Sequence, residues 1–443
     1  MELSTISKFE AKEGENVTNR RAFLQQSMAT ALGLGALGPQ VWAETRRSAG
    51  RSVDPHFLVF VQIYGAWDIC LAMDPKDRDL RLSNGDKAFD QPYGWDEVRS
   101  FGPHLLAPQG LALAPFADRM TIVNGIDMEL DGGHTPQIVM AGDIQANALG
   151  KPFVQAMLSE RHPYLRSRLM PHLYGSYDGL FLAGPYGSKT VAIAAADAYR
   201  VLNGRPTSLD LKQVQVTTRA LSEAYTGLDK QLLNQYAKAV DQAVELRRRF
   251  KEGDAPVENP GNSRTLARFV GKLFASETLG SFTWSLADTY AFDTHAAHYA
   301  NHPLKQGLED LAAFCQELQS LPWDEHTSLF DHTTVVLTAE FSRSPRLNSS
   351  QGKDHNFRAN SLVLFGKNVR SASFGKSGEI QDAGQQPFAH AGLPIDFRSG
   401  EPKVDGQKLN MRHLWAGSGA ILGADLSNEF GPTTEAVSFL QKG

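Results

Sequence analysis

The run Phe57-Leu58-Val59-Phe60-Val61-Gln62-Ile63 constrains this chain more than any other segment. Six of its seven residues are apolar, so it offers no solvent-facing stripe at the period of a half-exposed strand. It is also too short for a buried helix. Such a run reads as a strand covered on both faces, the condition of a parallel sheet flanked by helices. Runs of the same kind recur at Met120-Thr121-Ile122-Val123, Thr190-Val191-Ala192-Ile193, Phe282-Thr283-Trp284-Ser285-Leu286, Thr334-Val335-Val336-Leu337-Thr338 and Ser361-Leu362-Val363-Leu364-Phe365. Helical patterns alternate with them, most clearly at 136–148, 215–252, 264–277 and 303–320. This alternation predicts an α/β fold with a largely parallel central sheet. The long 215–252 pattern closes on Arg247-Arg248-Arg249, which complement a helix C-terminus. With its surroundings it predicts a mostly helical insertion at about 150–280 between the two halves of the sheet.

The N-terminus reads as an address rather than as structure. Asn19-Arg20-Arg21-Ala22-Phe23-Leu24 sets two adjacent arginines before Phe-Leu, and a weakly apolar, glycine-diluted run from Met28 to Leu37 follows. Pro39 then breaks any helix, and Val41-Trp42-Ala43 offers small residues for cleavage before Glu44. This order predicts a twin-arginine signal over 1–43, a linker over 44–55 and an α/β domain over 56–443, with the translocase as a partner during export. A chance arginine pair in an amphipathic helix is the other reading of the same residues. The expected destination is the periplasm or the cell exterior.

Charge and cysteine usage exclude some classes. A formal net charge of −5 recruits neither nucleic acid nor acidic lipid. The longest apolar stretch falls short of the roughly 20 residues that span a bilayer, so no integral membrane segment is expected. Cys70 and Cys315 alone give no disulfide framework; they are either two buried thiols or one bridge. Gly184-Pro185-Tyr186-Gly187-Ser188-Lys189-Thr190 imitates a phosphate loop, but its spacing fails and the strand follows it instead of preceding it.

The polar residues that could carry chemistry lie just beyond the C-terminal ends of the predicted strands, where open α/β sheets place their ligands. Asp68 follows the first strand. Asp293 and His295 are separated by one residue, so an extended segment points both the same way. Glu340 follows the Thr334–Thr338 run, and Asp354-His355 lies in the next loop between Gly352 and Asn356. Carboxylates mixed with imidazoles form a ligand set suited to Zn, Mn or Fe more than to Ca or Mg. A buried polar network without metal accounts for the same set. His298, His302 and His332 are read as ordinary hydrogen-bonded histidines. In His134-Thr135-Pro136, Thr135 is either a helix N-cap or a hydroxyl nucleophile at a helix N-terminus. Arg343 and Arg346 either clamp an anionic substrate or are loop arginines.

At these residues the chain resembles the bacterial family called domain of unknown function 1501, placed in the alkaline phosphatase and sulfatase superfamily. The ordered likeness comprises Gly65-Ala66-Trp67-Asp68, Phe292-Asp293-Thr294-His295, the stretch from Thr338 to Asn348, and Gly352-Lys353-Asp354-His355. The resemblance implies an alkaline-phosphatase-like three-layer sandwich with metals at the strand ends. It also implies metal-ligand positions at Asp68, Asp293, His295, Glu340 and His355, with Thr135 near the nucleophile position. Two departures stand out: Asp68-Ile69-Cys70 replaces the family's Asp-Gly-Leu, and Glu340-Phe341 stands where metal enzymes of the superfamily often carry Asp-His. The expectation that follows is a metal-dependent hydrolase of phosphate or sulfate esters. Its alternative is a non-catalytic envelope protein of the same fold that binds a polymer or a protein partner.

Overall fold

The computed structural model describes residues 54–82, 85–129, 153–168, 170–174, 190–192, 261–380, 390–431 and 434–441. The apolar run forms strand β1, Phe57–Ile63. The other strands of the main sheet are β2 Met120–Ile126, β3 Met170–Tyr174, β4 Thr190–Ala192, β5 Leu279–Ser285, β6 Thr333–Ala339, β7 Asn360–Gly366 and β8 Ala372–Phe374. They lie side by side in the order β8-β2-β7-β6-β1-β5-β3-β4. β1 runs parallel to both neighbours, pairing Val59 with Phe282 of β5 and with Val335 of β6. Only β7 is reversed among these eight; it pairs antiparallel with β6 and with β2. The architecture is therefore mixed α/β with a large, mainly parallel central sheet and helices.

Burial explains which strands were legible. β1, β2, β5, β6 and β7 are covered almost throughout, and their apolar runs announce them. β3 and β8 were not expected. The β3 sequence Met170-Pro171-His172-Leu173-Tyr174 carries a proline, ordinarily confined to edges, and a buried histidine whose Nδ1 pairs with Ser281 Oγ at 2.7 Å. The segment expected to be a mostly helical insertion contributes two strands to the main sheet, β4 at the expected Thr190 run and the unexpected β3. The helical patterns at 136–148 and 215–252 fall outside the described residues, as do the N-terminal signal, His134 and Thr135.

Two expected helices form, α1 Ser263–Ala275 and α2 Leu304–Ser320. Asn262 caps α1 by accepting from Thr265 N, while Thr265 Oγ1 accepts from Asn262 N, so two first-turn donors are satisfied. The helices pack on each other, and Arg268 of α1 reaches Glu317 of α2 at 2.8 Å. Cys315 is buried in α2 and Cys70 beyond β1, and both are free thiols. No helix among the described residues is long and apolar enough to cross a membrane.

Reversal of β7 decides where the loops meet. Strands β5, β1 and β6 are adjacent and parallel, so the segments leaving them emerge at one edge of the sheet. An antiparallel β7 begins at that same edge. The stretch from Glu340 to Ala359 therefore stays beside the ends of β1 and β5 and never crosses the sheet.

Candidate metal centre

The chain turns sharply as it leaves β1. Gly65 has φ +91°, and a Cβ there would press on the backbone of Phe292 and Asp293, so glycine permits both the turn and the close approach. Its N–H donates to Glu340 Oε1 at 2.9 Å. Its carbonyl accepts from the Arg343 guanidinium. The ends of β1 and β6 and the segment before Asp293 are thereby tied together through one glycine.

Beyond β5, Asp293, Thr294 and His295 alternate in direction as an extended segment requires. Asp293 and His295 are exposed and converge with His355 into a group whose ligand atoms could hold one metal ion. His295 Nε2 lies 3.0 Å from Asp293 Oδ1 and 3.1 Å from His355 Nε2, and the third edge, His355 Nε2 to Asp293 Oδ1, is 3.6 Å. Two ligands on one tetrahedral ion with bonds of about 2.0–2.1 Å are about 3.3 Å apart, so the triangle has the size of a ligand face. Its two nitrogens and one oxygen suit a transition metal. The side chains of Asp293 and His295 keep 43% and 46% of their exposure, which leaves one side of the triangle open to water or substrate.

Neighbouring groups hold these three in place. Asp354 Oδ1 sits 3.2 Å from His295 Nδ1, the carboxylate-to-imidazole arrangement that fixes which ring nitrogen is left to bind a metal. Asn348 Nδ2 braces it by donating to Asp354 Oδ1 and to the His295 carbonyl. Arg343 is wholly buried, and its guanidinium donates to Asp293 Oδ1 at 2.6 Å, to Phe292 O and to Lys353 O. Its donors are thus directed at the chain. Phe341 packs on His355 with ring centroids 4.4 Å apart and closes that flank with an apolar wall. Gly352 passes so close to the His295 carbonyl that any Cβ would overlap it.

Other expected site residues stand apart from the triangle. Asp68 is fully buried, and a buried carboxylate demands a counter-charge. It finds one in Lys353, whose Nζ lies 2.7 Å from Asp68 Oδ2. Glu340 turns into the protein toward Gly65. Arg346 faces Asp86 at 3.6 Å. Thr135 lies outside the described residues.

Beneath the triangle is a set that sequence reasoning missed or read as unremarkable: Thr294, His298, His302 and Lys353. Its proton positions follow from one fixed donor. The Asp68 N–H donates to His302 Nε2, so that neutral ring carries its proton on Nδ1 and donates to Thr294 Oγ1. The Thr294 hydroxyl then donates to His298 Nδ1, and His298 Nε2–H donates to Asp68 Oδ2. The circuit closes on the residue where it began. Burial holds His298 and His302 below the usual imidazole range, consistent with two neutral rings. Burial alone would raise the Asp68 carboxyl, but the Lys353 ammonium and the His298 N–H outweigh it and hold Asp68 well below the usual carboxylate range. The one signal in the sequence was the proximity of Thr294 and Lys353 to candidate ligands.

Cys70 is no nucleophile in this setting. Asn356 Oδ1 accepts from Arg358 N, which turns its amide to donate to His390 Nδ1. His390 therefore presents Nε2–H to the Cys70 sulfur, 3.9 Å away, and has no lone pair there to take a proton. Burial also pushes the Cys70 thiol up.

Residues 263–392 match the family described as "Protein of unknown function (DUF1501)". The matched stretch contains Asp293, His295, Glu340, Arg343, Asp354 and His355, but not Asp68. No curated protein matches the chain. Among solved structures, it is similar to a protein in the alkaline phosphatase superfamily from Vibrio parahaemolyticus. That likeness has a TM-score of 0.38 and 9% identity, over 96% of this chain and 79% of that one. It is also similar to the lipoteichoic acid synthase LtaP from Listeria monocytogenes, with a TM-score of 0.34 and 8% identity, over 92% and 80% of the two chains. These are distant likenesses of overall form.

Proposed function

We propose that the chain is an exported, metal-dependent hydrolase of phosphate or sulfate esters. The observation that carries this reading is the Asp293, His295 and His355 triangle, open on one side at the shared edge of β5, β1 and β6. A divalent transition metal held there supplies Lewis acidity toward an anionic ester oxygen and toward the attacking hydroxyl or water. The contribution of the chain itself is positional. Arg343 orients Asp293, Asp354 orients His295, and Phe341 limits water on the His355 flank. Thr135 is the proposed source of an attacking hydroxyl, with water as the alternative.

The test is metal content together with turnover of 4-nitrophenyl phosphate and 4-nitrophenyl sulfate by the full chain. Hydrolysis that disappears on chelation, returns with Zn or Mn, and is absent from His295→Ala supports the reading. Stoichiometric metal without turnover of any phosphate or sulfate ester would favour a non-catalytic role instead. Export through the twin-arginine pathway is part of the proposal, and the double variant Arg20→Lys/Arg21→Lys should leave precursor in the cytoplasm. Normal accumulation of that variant outside the cytoplasm would remove the export claim without touching the metal centre.

A further inference from the structure

We infer that Lys353 is the resident cation of Asp68, so that this site takes a single divalent ion, at Asp293, His295 and His355, with an ammonium group in the place of a second metal. The inference rests on the metal reading above and adds the number of ions and the residue that sets it.

Two layers interleave along the same segments. Thr294 stands between the ligands Asp293 and His295 but turns inward, where it is buried. Lys353 precedes Asp354 and His355 and also turns inward, and its N–H donates to the Thr294 carbonyl at 3.2 Å. The inner layer is thus covalently continuous with the outer one. At its centre lies Asp68, a wholly buried carboxylate in the turn that follows β1, beside the three ligands' own segments. Such a carboxylate requires a positive charge, and in a metal enzyme that charge is often an ion.

Here the charge belongs to the chain. Lys353 is itself wholly buried, its Nζ is 2.7 Å from Asp68 Oδ2, and the Tyr299 ring covers the ammonium at 5.5 Å. The other oxygen, Asp68 Oδ1, accepts from Cys70 N at 3.2 Å. His298, the imidazole nearest this carboxylate, is unable to serve as a ligand without breaking the circuit. Its Nε2 carries the proton donated to Asp68, because Thr294 donates to its Nδ1. Moving that proton to Nδ1 would set two N–H groups against the Thr294 oxygen and leave the Thr294 hydroxyl proton without its acceptor. Both candidate ligands for a second ion are therefore committed, one to an ammonium group and the other as a hydrogen-bond donor.

The experiment counts ions on the full chain stripped of metal and titrated with Zn²⁺ alone, read by native mass spectrometry. The wild type should bind one ion. The double variant Asp68→Asn/Lys353→Met, which removes both charges together, should also bind one, and His355→Ala should lose it. Two ions on the wild type, or loss of the single ion from a folded Asp68→Asn/Lys353→Met protein, would overturn the inference while leaving a metal centre in place. No ion on the wild type would overturn the metal reading and this inference with it. Counting zinc anomalous peaks in wild-type crystals needs no variant. One peak against His295 and His355 is expected, and a second peak on Asp68 would defeat the assignment.

Discussion

The Nε2 atoms of His295 and His355 face each other at 3.1 Å, and both also face Asp293 Oδ1. Three ligand atoms at such separations are poised for one ion. Replacing His295 with Ala should lower metal content and thermal stability together, since an ion that binds only the folded chain stabilises it by mass action. The loss in stability should vanish when wild type and variant are compared under chelation. Equal stability of the two in saturating Zn²⁺ would count against the assignment.

The Asp354 carboxylate meets the site at His295 Nδ1, braced there by Asn348 Nδ2. Its side chain keeps 61% of its exposure, so Asp354→Asn should barely change folding stability. Losing the carboxylate that orients a metal-binding imidazole typically costs about 10–100-fold in metal affinity. Competition with a chromogenic chelator measures the change. Affinity within twofold of wild type would mean that His295 needs no such partner.

Gly352 lets the loop carrying Asp354 and His355 pass against the His295 backbone. Because the obstacle is backbone and not a flexible side chain, Gly352→Ala must displace one segment. A cost of about 1–3 kcal/mol is expected, as for other overpacked positions, together with weaker metal binding. Urea unfolding with and without Zn²⁺ separates the two effects, and unchanged values in both would show that the contact is loose.

Breaking the Asp68 and Lys353 pair from one side should be far worse than removing it whole. Lys353→Met strands a buried carboxylate, at a cost of about 3–5 kcal/mol, whereas Asp68→Asn/Lys353→Met leaves no uncompensated charge and should recover much of that loss. A double variant less stable than Lys353→Met would indicate that the circuit through His298 and His302 depends on the charged carboxylate.

Acid should destabilise the chain before its carboxylates titrate. Burial pushes His162 down to about 4 and His172 and His390 down to about 3, the last with help from the Lys76 charge. In the unfolded chain these rings titrate near 6.5, so below that pH the unfolded state binds more protons than the folded one. Stability is then complete above about pH 6.5 and falls toward pH 4, by up to about 1.4 kcal/mol per pH unit for each histidine. Urea unfolding from pH 7.5 to 4.5 in the presence of a chelator, which removes any contribution from bound metal, measures the slope. A flat profile would mean that these rings are protonated in the folded state.

The sequence by itself determined six of the eight main strands, α1 and α2, and the convergence of Asp293 with His295. These are local facts: an apolar run states that both faces are covered, and a spacing of two residues in extended chain states that two side chains share a side. Strand β3 was illegible because Pro171 and His172 interrupt its pattern, and their fit depends on Ser281 in a neighbouring strand. Tertiary structure alone decided that β7 runs backwards and so returns His355 to the edge where Asp293 and His295 emerge. It also decided that Asp68, which reads in the sequence like any acidic residue after a strand, belongs to Lys353, 285 positions away. Charge pairing inside a protein is set by which groups folding deprives of water together, and no periodicity along the chain records that.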